Sequence, residues 1–106
     1  MKLPQPPAHL QASGRKFWRL AHSEREFADS HDITRLDMAC GCLDEIAADE
    51  ARVKVEGAFV QDRFQQVKEH PARRAIRENK ALFLKIVREL GLDLVAPPED
   101  RPRRQY

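Results

Sequence analysis

The stretch from Asp29 to Glu56 limits the fold more than any other part of the chain. Ile33, Leu36, Cys40, Leu43 and Ala47 recur at steps of 3, 4, 3 and 4, and Ala39, Ile46 and Val53 widen the stripe. No Pro interrupts it, and this period is that of a helix with one apolar seam. Asp29 reads as the N-cap, with Asp32 in the first turn where a negative charge suits the helix dipole. Gly57 reads as the stop, because glycine tolerates the left-handed backbone of a helix end. A helix of this length spans about 40 Å. In a chain of 106 residues it needs more than one neighbour along its seam.

Two further helical patterns supply neighbours. A first helix is expected from a Ser13 N-cap to His22 or Phe27. Phe17, Trp18, Leu20 and Ala21 form its apolar side, and Arg15, Lys16, Arg19 and Arg25 form its basic side. Phe17 and Trp18 read as core anchors rather than stacking platforms. A third helix runs from Pro71 to Leu90 and stops at Gly91, with Ala72, Ile76, Phe83, Ile86, Val87 and Leu90 as its stripe. Proline at the first helical position loses nothing, since its N–H would be unpaired there. Between the second and third helices lie Ala58-Phe59-Val60 and Phe64-Gln65-Gln66-Val67, two short extended pieces around Gln61-Asp62-Arg63, which is a hairpin signal. The fold expected is mainly α: an N-terminal helix on a long antiparallel helical hairpin, with a short β-hairpin or extended loop between helices two and three. Pro4, Pro6 and Pro7 mark residues 1–12 as a flexible start, 13–95 as the helical domain, and Pro97, Pro98 and Pro102 with Arg101, Arg103 and Arg104 mark 96–106 as a flexible tail.

Charge is unevenly spread. Residues 1–25 hold five Lys/Arg and one acid, residues 26–50 one Arg and eight acids, and residues 51–106 thirteen Lys/Arg and eight acids, within a net charge of +2. A basic start, acidic middle and basic end suit local polyanion contact and pairing of one copy with another. Arg15, Lys16 and Arg19 fall on one helix face and read as phosphate contacts; Arg25 and the Arg73-Arg74-Arg77 cluster are further candidates for DNA contact, the cluster being equally suited to pairing with helix two or with a neighbouring subunit. The bland reading of each is a solvated helix face. Ile33, Leu36, Leu43, Ile46, Phe59 and Phe64 are the candidate subunit-interface residues.

Catalysis has little to stand on. The chain has no phosphate-cradling Gly-rich loop, no nucleophile elbow and no His-rich metal motif, and His9, His22, His31 and His70 are dispersed. Cys40 and Cys42 stand two apart, on different sides of a helix, and read as small buried side chains of a reducing compartment rather than a metal pair or a disulfide. The start, MKLPQPPAHL, lacks an apolar core for a signal peptide, and no segment approaches the roughly 18 apolar residues of a membrane span. A soluble intracellular protein without metal or cofactor is expected.

Taken in order, several of these pieces resemble the small terminase subunit of tailed double-stranded DNA phages and prophages. They are Ser13-Gly14-Arg15-Lys16-Phe17-Trp18-Arg19, then Leu36-Asp37-Met38-Ala39-Cys40 with Leu43-Asp44, then Glu56-Gly57, Asp62-Arg63-Phe64, Gln66, Lys68 and His70-Pro71, and finally Arg88-Glu89-Leu90-Gly91-Leu92. The resemblance covers roughly residues 8 to 95. It implies a non-enzymatic, ring-forming protein of the bacterial host cytoplasm. Such a protein binds the phage genome at its packaging start and delivers it to the large ATPase/nuclease subunit. One departure stands out: that family's turn reads aromatic-Gly-Gln, whereas Phe64 here is followed by Gln65-Gln66. A hairpin that is looser, or shifted toward Gln61-Asp62-Arg63, is the expectation. The alternatives are a dimeric helical DNA-binding regulator, with the connection from Glu24 to Asp29 as its turn, and an interaction module without DNA affinity.

Overall fold

The structure, a computed structural model, describes residues 4–92. Helix α1 is Ala12–Glu24, α2 is Ser30–Glu56, and α3 is Pro71–Glu89; strands β1 (Phe59–Gln61) and β2 (Val67–Glu69) form a two-stranded antiparallel sheet between α2 and α3. The fold is thus mainly helical with a small hairpin, as the periodicities require. The expected tail at 96–106 lies outside the described residues.

α2 and α3 run antiparallel. Arg35 lies 3.8 Å from Glu89 and Glu50 3.7 Å from Lys80, while Glu56 meets His70 at 2.9 Å. The seams face one another as their periods dictate: Leu36, Ala39, Cys40, Cys42 and Ile46 are buried on α2, and Ala72, Phe83, Ile86 and Val87 on α3. α1 closes this pair from one side. Phe17 packs edge-on against Phe83 with ring centroids 5.1 Å apart, and Trp18 and Ala21 are buried beside it.

The start of α1 differs from expectation. The helix begins at Ala12 with Gln11 at the N-cap position, and no side chain of its own caps it. Asp44 of α2 does so instead: its Oδ2 accepts from Gln11 N–H and its Oδ1 from Gly14 N–H, both at 2.7 Å. One carboxylate from a neighbouring helix therefore satisfies two of the donors that a capping box would satisfy locally. This requires Gly14, since a Cβ there would meet Asp44 Oδ2 at 2.6 Å and the Cys40 carbonyl at 2.9 Å. The Pro-rich start is also more anchored than expected. Leu10 is fully buried, Trp18 Nε1 donates to the Pro4 carbonyl at 3.2 Å, and His9 meets Asp37 at 2.8 Å.

The remaining helix ends follow the sequence. Asp29 accepts from His31 N–H at 2.8 Å as the α2 cap. α3 ends in a Schellman arrangement at Gly91 (φ +72°), with Gly91 N–H bonded to the Arg88 carbonyl and Leu92 N–H to that of Val87. Buried Leu92 completes it.

The hairpin is tight, not loose. Its strands are β1 and β2 in the register Phe59↔Glu69, Val60↔Lys68, Gln61↔Val67, so Phe64-Gln65-Gln66 belongs to the loop rather than to a strand. Gln65 N–H bonds the Asp62 carbonyl at 2.9 Å, Asp62 N–H bonds the Gln66 carbonyl at 3.0 Å, and Gln65 sits at φ +62°. This is a turn followed by one left-handed residue, a form that favours glycine at that place. Asp62 makes Gln65 tolerable there: its Oδ1 accepts from Phe64 N–H (2.8 Å) and Gln66 N–H (3.0 Å), and Lys68 Nζ lies 3.2 Å from its Oδ2.

Candidate nucleic-acid interface

Helix α1 turns its buried side, Gly14, Phe17, Trp18, Ala21 and His22, toward α2 and α3. At 100° per residue, Arg15, Lys16 and Arg19 then fall on the opposite side, and all three are exposed. None pairs with a carboxylate among the described residues; Arg15 makes one long contact, 3.5 Å, to the Ala8 carbonyl. Three positive charges within two turns, on a helix whose N-terminus is fixed by Asp44, form a rigid basic face. Such a face can meet the phosphates of a duplex without first breaking internal ion pairs.

The other expected contacts are differently employed. Arg25 binds inward: its Nη1 donates to the Leu90 carbonyl, its Nη2 lies 3.5 Å from Asp32, and its guanidinium stacks 4.8 Å from the Phe27 ring centroid. It ties the end of α1 to the start of α2 and the end of α3. On α3, Arg77 makes a bidentate pair with Glu69 at 2.8 and 3.1 Å. Arg73 lies 3.8 Å from the same carboxylate and 5.5 Å from the Phe59 ring centroid, and Arg74 pairs with Glu78 at 2.9 Å. The α3 cluster thus folds its charge onto β2 and onto its own helix. Only Glu50–Lys80 joins an α2 acid to an α3 base among the described residues.

The six interface candidates separate by burial. Leu36 (0% exposed) and Ile46 (7%) are buried within the protomer, where the other helices use the seam. Leu43 is partly buried against that core. Ile33 is at the margin of exposure, whereas Phe59 and Phe64 stand out at 59% and 69%. Phe59 and Val67 share the same outward face of the hairpin through the β1–β2 register.

The junction before α3 has its own device. His70 is buried, its Nδ1 accepts from Ala72 N–H at 3.0 Å as the helix cap, and its Nε2 meets Glu56 Oε1 at 2.9 Å. An accepting Nδ1 places the ring proton on Nε2, which donates to Glu56. That hydrogen bond, with Arg52 nearby, holds the Glu56 carboxyl below its ordinary range. Asp62 is lowered mainly by the Gln66 N–H, and Glu69 mainly by Arg77. His22 is buried between the rings of Trp18 (4.7 Å) and Phe27 (5.2 Å), its Nε2 without a hydrogen-bond partner among the described residues, and burial lowers its pKa. Cys40 is fully buried on the seam, where desolvation, with help from Asp37 and Asp44, pushes its thiol up to about 12. Cys42 is raised by burial likewise. These are inert thiols of the helix pair.

No family model, curated protein or solved structure matches the chain. Among the described residues, no helix is long and apolar enough to cross a membrane.

Proposed function

We propose that this chain is a small terminase subunit of a tailed double-stranded DNA phage or prophage, working in the cytoplasm of the bacterial host. In this reading it assembles into a homo-oligomeric ring, binds the genome at its packaging start and delivers it to the large ATPase/nuclease subunit, carrying out no chemistry itself. The reading rests on the ordered sequence resemblance. The observation that carries its DNA-binding part is the α1 face: Arg15, Lys16 and Arg19 are exposed and have no carboxylate partner among the described residues, while the Arg73, Arg74 and Arg77 cluster of α3 is held by Glu69 and Glu78. A dimeric helix-turn-helix regulator has less support, because the helix it would place in a groove, α2, is acidic and has its N-terminal half covered by α1.

Reversal of all three α1 charges to Glu tests this directly. A gel shift on phage-end duplex should weaken at least about tenfold, and the salt dependence should flatten by up to about three phosphate contacts. Undiminished binding by a folded triple variant would remove α1 from the DNA surface.

A further inference from the structure

The α2–α3 groove is longer than the helix that fills it. Its seam repeats every seven residues: Leu36, Leu43 and Glu50 along α2, opposite Leu90, Phe83 and Ile76 along α3. Over the first half α1 acts as the lid. Its C-terminal end is tied at Asp32 and Leu90, its middle at Phe83, and its N-terminus at Asp44. Because the chain turns back no earlier than Gln11, α1 supplies no cover beyond Asp44. Along the seam Leu36 and Leu90 are fully covered, Phe83 nearly so and Ile76 only partly, while Ile46 and Ala72 stay buried. Past that point the groove continues as an open trough of about 440 Å³ lined by Glu50, Val53, Lys54, Arg73, Ile76, Arg77 and Lys80.

The trough has a definite chemistry. Val53 and Ile76 make an apolar floor in register with the seam that α1 covers. Four bases and one acid form its walls. Lys54 has no carboxylate partner among the described residues, and Lys80 has only the long 3.7 Å contact to Glu50. Bare phosphate would leave the apolar floor uncovered, and a basic segment such as α1 of another copy would be repelled. A helix that places aliphatic side chains on the floor and carboxylates against the walls satisfies both features, in the same groove geometry α1 already exploits.

We propose that the open half of the α2–α3 groove docks an acidic amphipathic helix of a partner protein, with Val53 and Ile76 receiving its apolar stripe and Lys54 and Lys80 its carboxylates. The site is separate from the α1 basic face, so its failure leaves the DNA reading intact and the reverse also holds.

The test uses the full chain and a labelled synthetic helix of about 15 residues, roughly four turns, with Leu at every third or fourth position and Glu at most others. The control carries Lys in place of Glu. Anisotropy at physiological ionic strength should show saturable binding of the acidic peptide at least about tenfold tighter than the basic one, and at least about tenfold weaker for the Lys54→Glu/Lys80→Glu variant. Ile76→Ser should weaken binding without altering charge. In the unaltered chain, amide shifts on peptide addition should concentrate at residues 50–54 and 73–80. Shifts confined to residues 15–19, equal affinity for both peptides, or displacement by short duplex DNA would overturn the proposal. So would self-association that the double variant abolishes, since the groove would then be a contact between copies of this chain.

Discussion

Single residues carry the joints between elements. Asp44 is the clearest, because it caps α1 from another helix. Asp44→Ala leaves the Gln11 and Gly14 N–H groups without acceptors and should cost about 1–3 kcal/mol. Urea unfolding followed by the single tryptophan, Trp18, measures it, and a change within error would show that water replaces the carboxylate at no cost. Gly14→Ala should act at the same joint through crowding, by about 1–3 kcal/mol. Gln65→Gly works in the other direction. It relieves a left-handed side chain held at φ +62° and should stabilise the hairpin by about 0.5–1 kcal/mol, seen as slower exchange of the Gln65 and Gln66 amides. Asp44 was not legible as a cap in the sequence, because its partners lie some thirty residues away, and local reading offered Ser13 instead. Gln65 was legible as a departure from a glycine position; that Asp62 would hold the turn nonetheless depends on hydrogen bonds that only the folded loop shows.

At the scale of elements, helix periods were readable and their partners were not. The seam of α2, the Asp29 cap, the Gly57 stop and the Pro71 start all rest on near-neighbour residues, and the structure has them. Leu36 and Ile46 are covered within the protomer, which the sequence could not say, because a seam announces burial without saying whether the cover is α1, α3 or another copy. The Arg73, Arg74 and Arg77 cluster was open between DNA contact, helix two and a neighbouring subunit; the structure pairs it instead with Glu69, just before α3, and with Glu78 on α3 itself. The hairpin and the α2 end that meets it hold the carboxylates that acid acts on. Glu56, Asp62 and Glu69 all have lowered pKa values in the folded state. Their contribution is complete above the ordinary carboxylate range and is lost as pH falls through the lower folded values, when the unfolded chain binds more protons. His22 adds an earlier step: its lowered pKa means the unfolded chain takes up a proton first as pH drops below about 6.5, which weakens the packing of α1. Amide exchange across a pH series should therefore show α1 losing protection before the hairpin, and the hairpin before the middle of α2. Simultaneous loss everywhere would mean that these groups titrate alike in folded and unfolded chains.

At the scale of the molecule, the three helices divide their surfaces. α2 is the spine, α3 runs along it from Arg35 to its C-terminal end, and α1 covers the other part and presents outward bases that have no carboxylate partner among the described residues. The hairpin projects Phe59, Phe64 and Val67, exposed and apolar, from one end. A two-stranded sheet is marginal alone, and in the proposed ring these side chains would pack on a neighbour. Phe59→Ser/Phe64→Ser should accordingly lower the subunit number while leaving the helical circular dichroism unchanged; an unaltered assembly would remove the hairpin from the interface.

Particle mass in solution, measured by light scattering with and without duplex DNA, tests the central claim most directly. A closed ring that binds the genome should give one species at a fixed multiple of the 12.3 kDa chain mass that grows when duplex is added. A strict 12.3 kDa monomer at high micromolar concentration, unchanged by duplex, would contradict it.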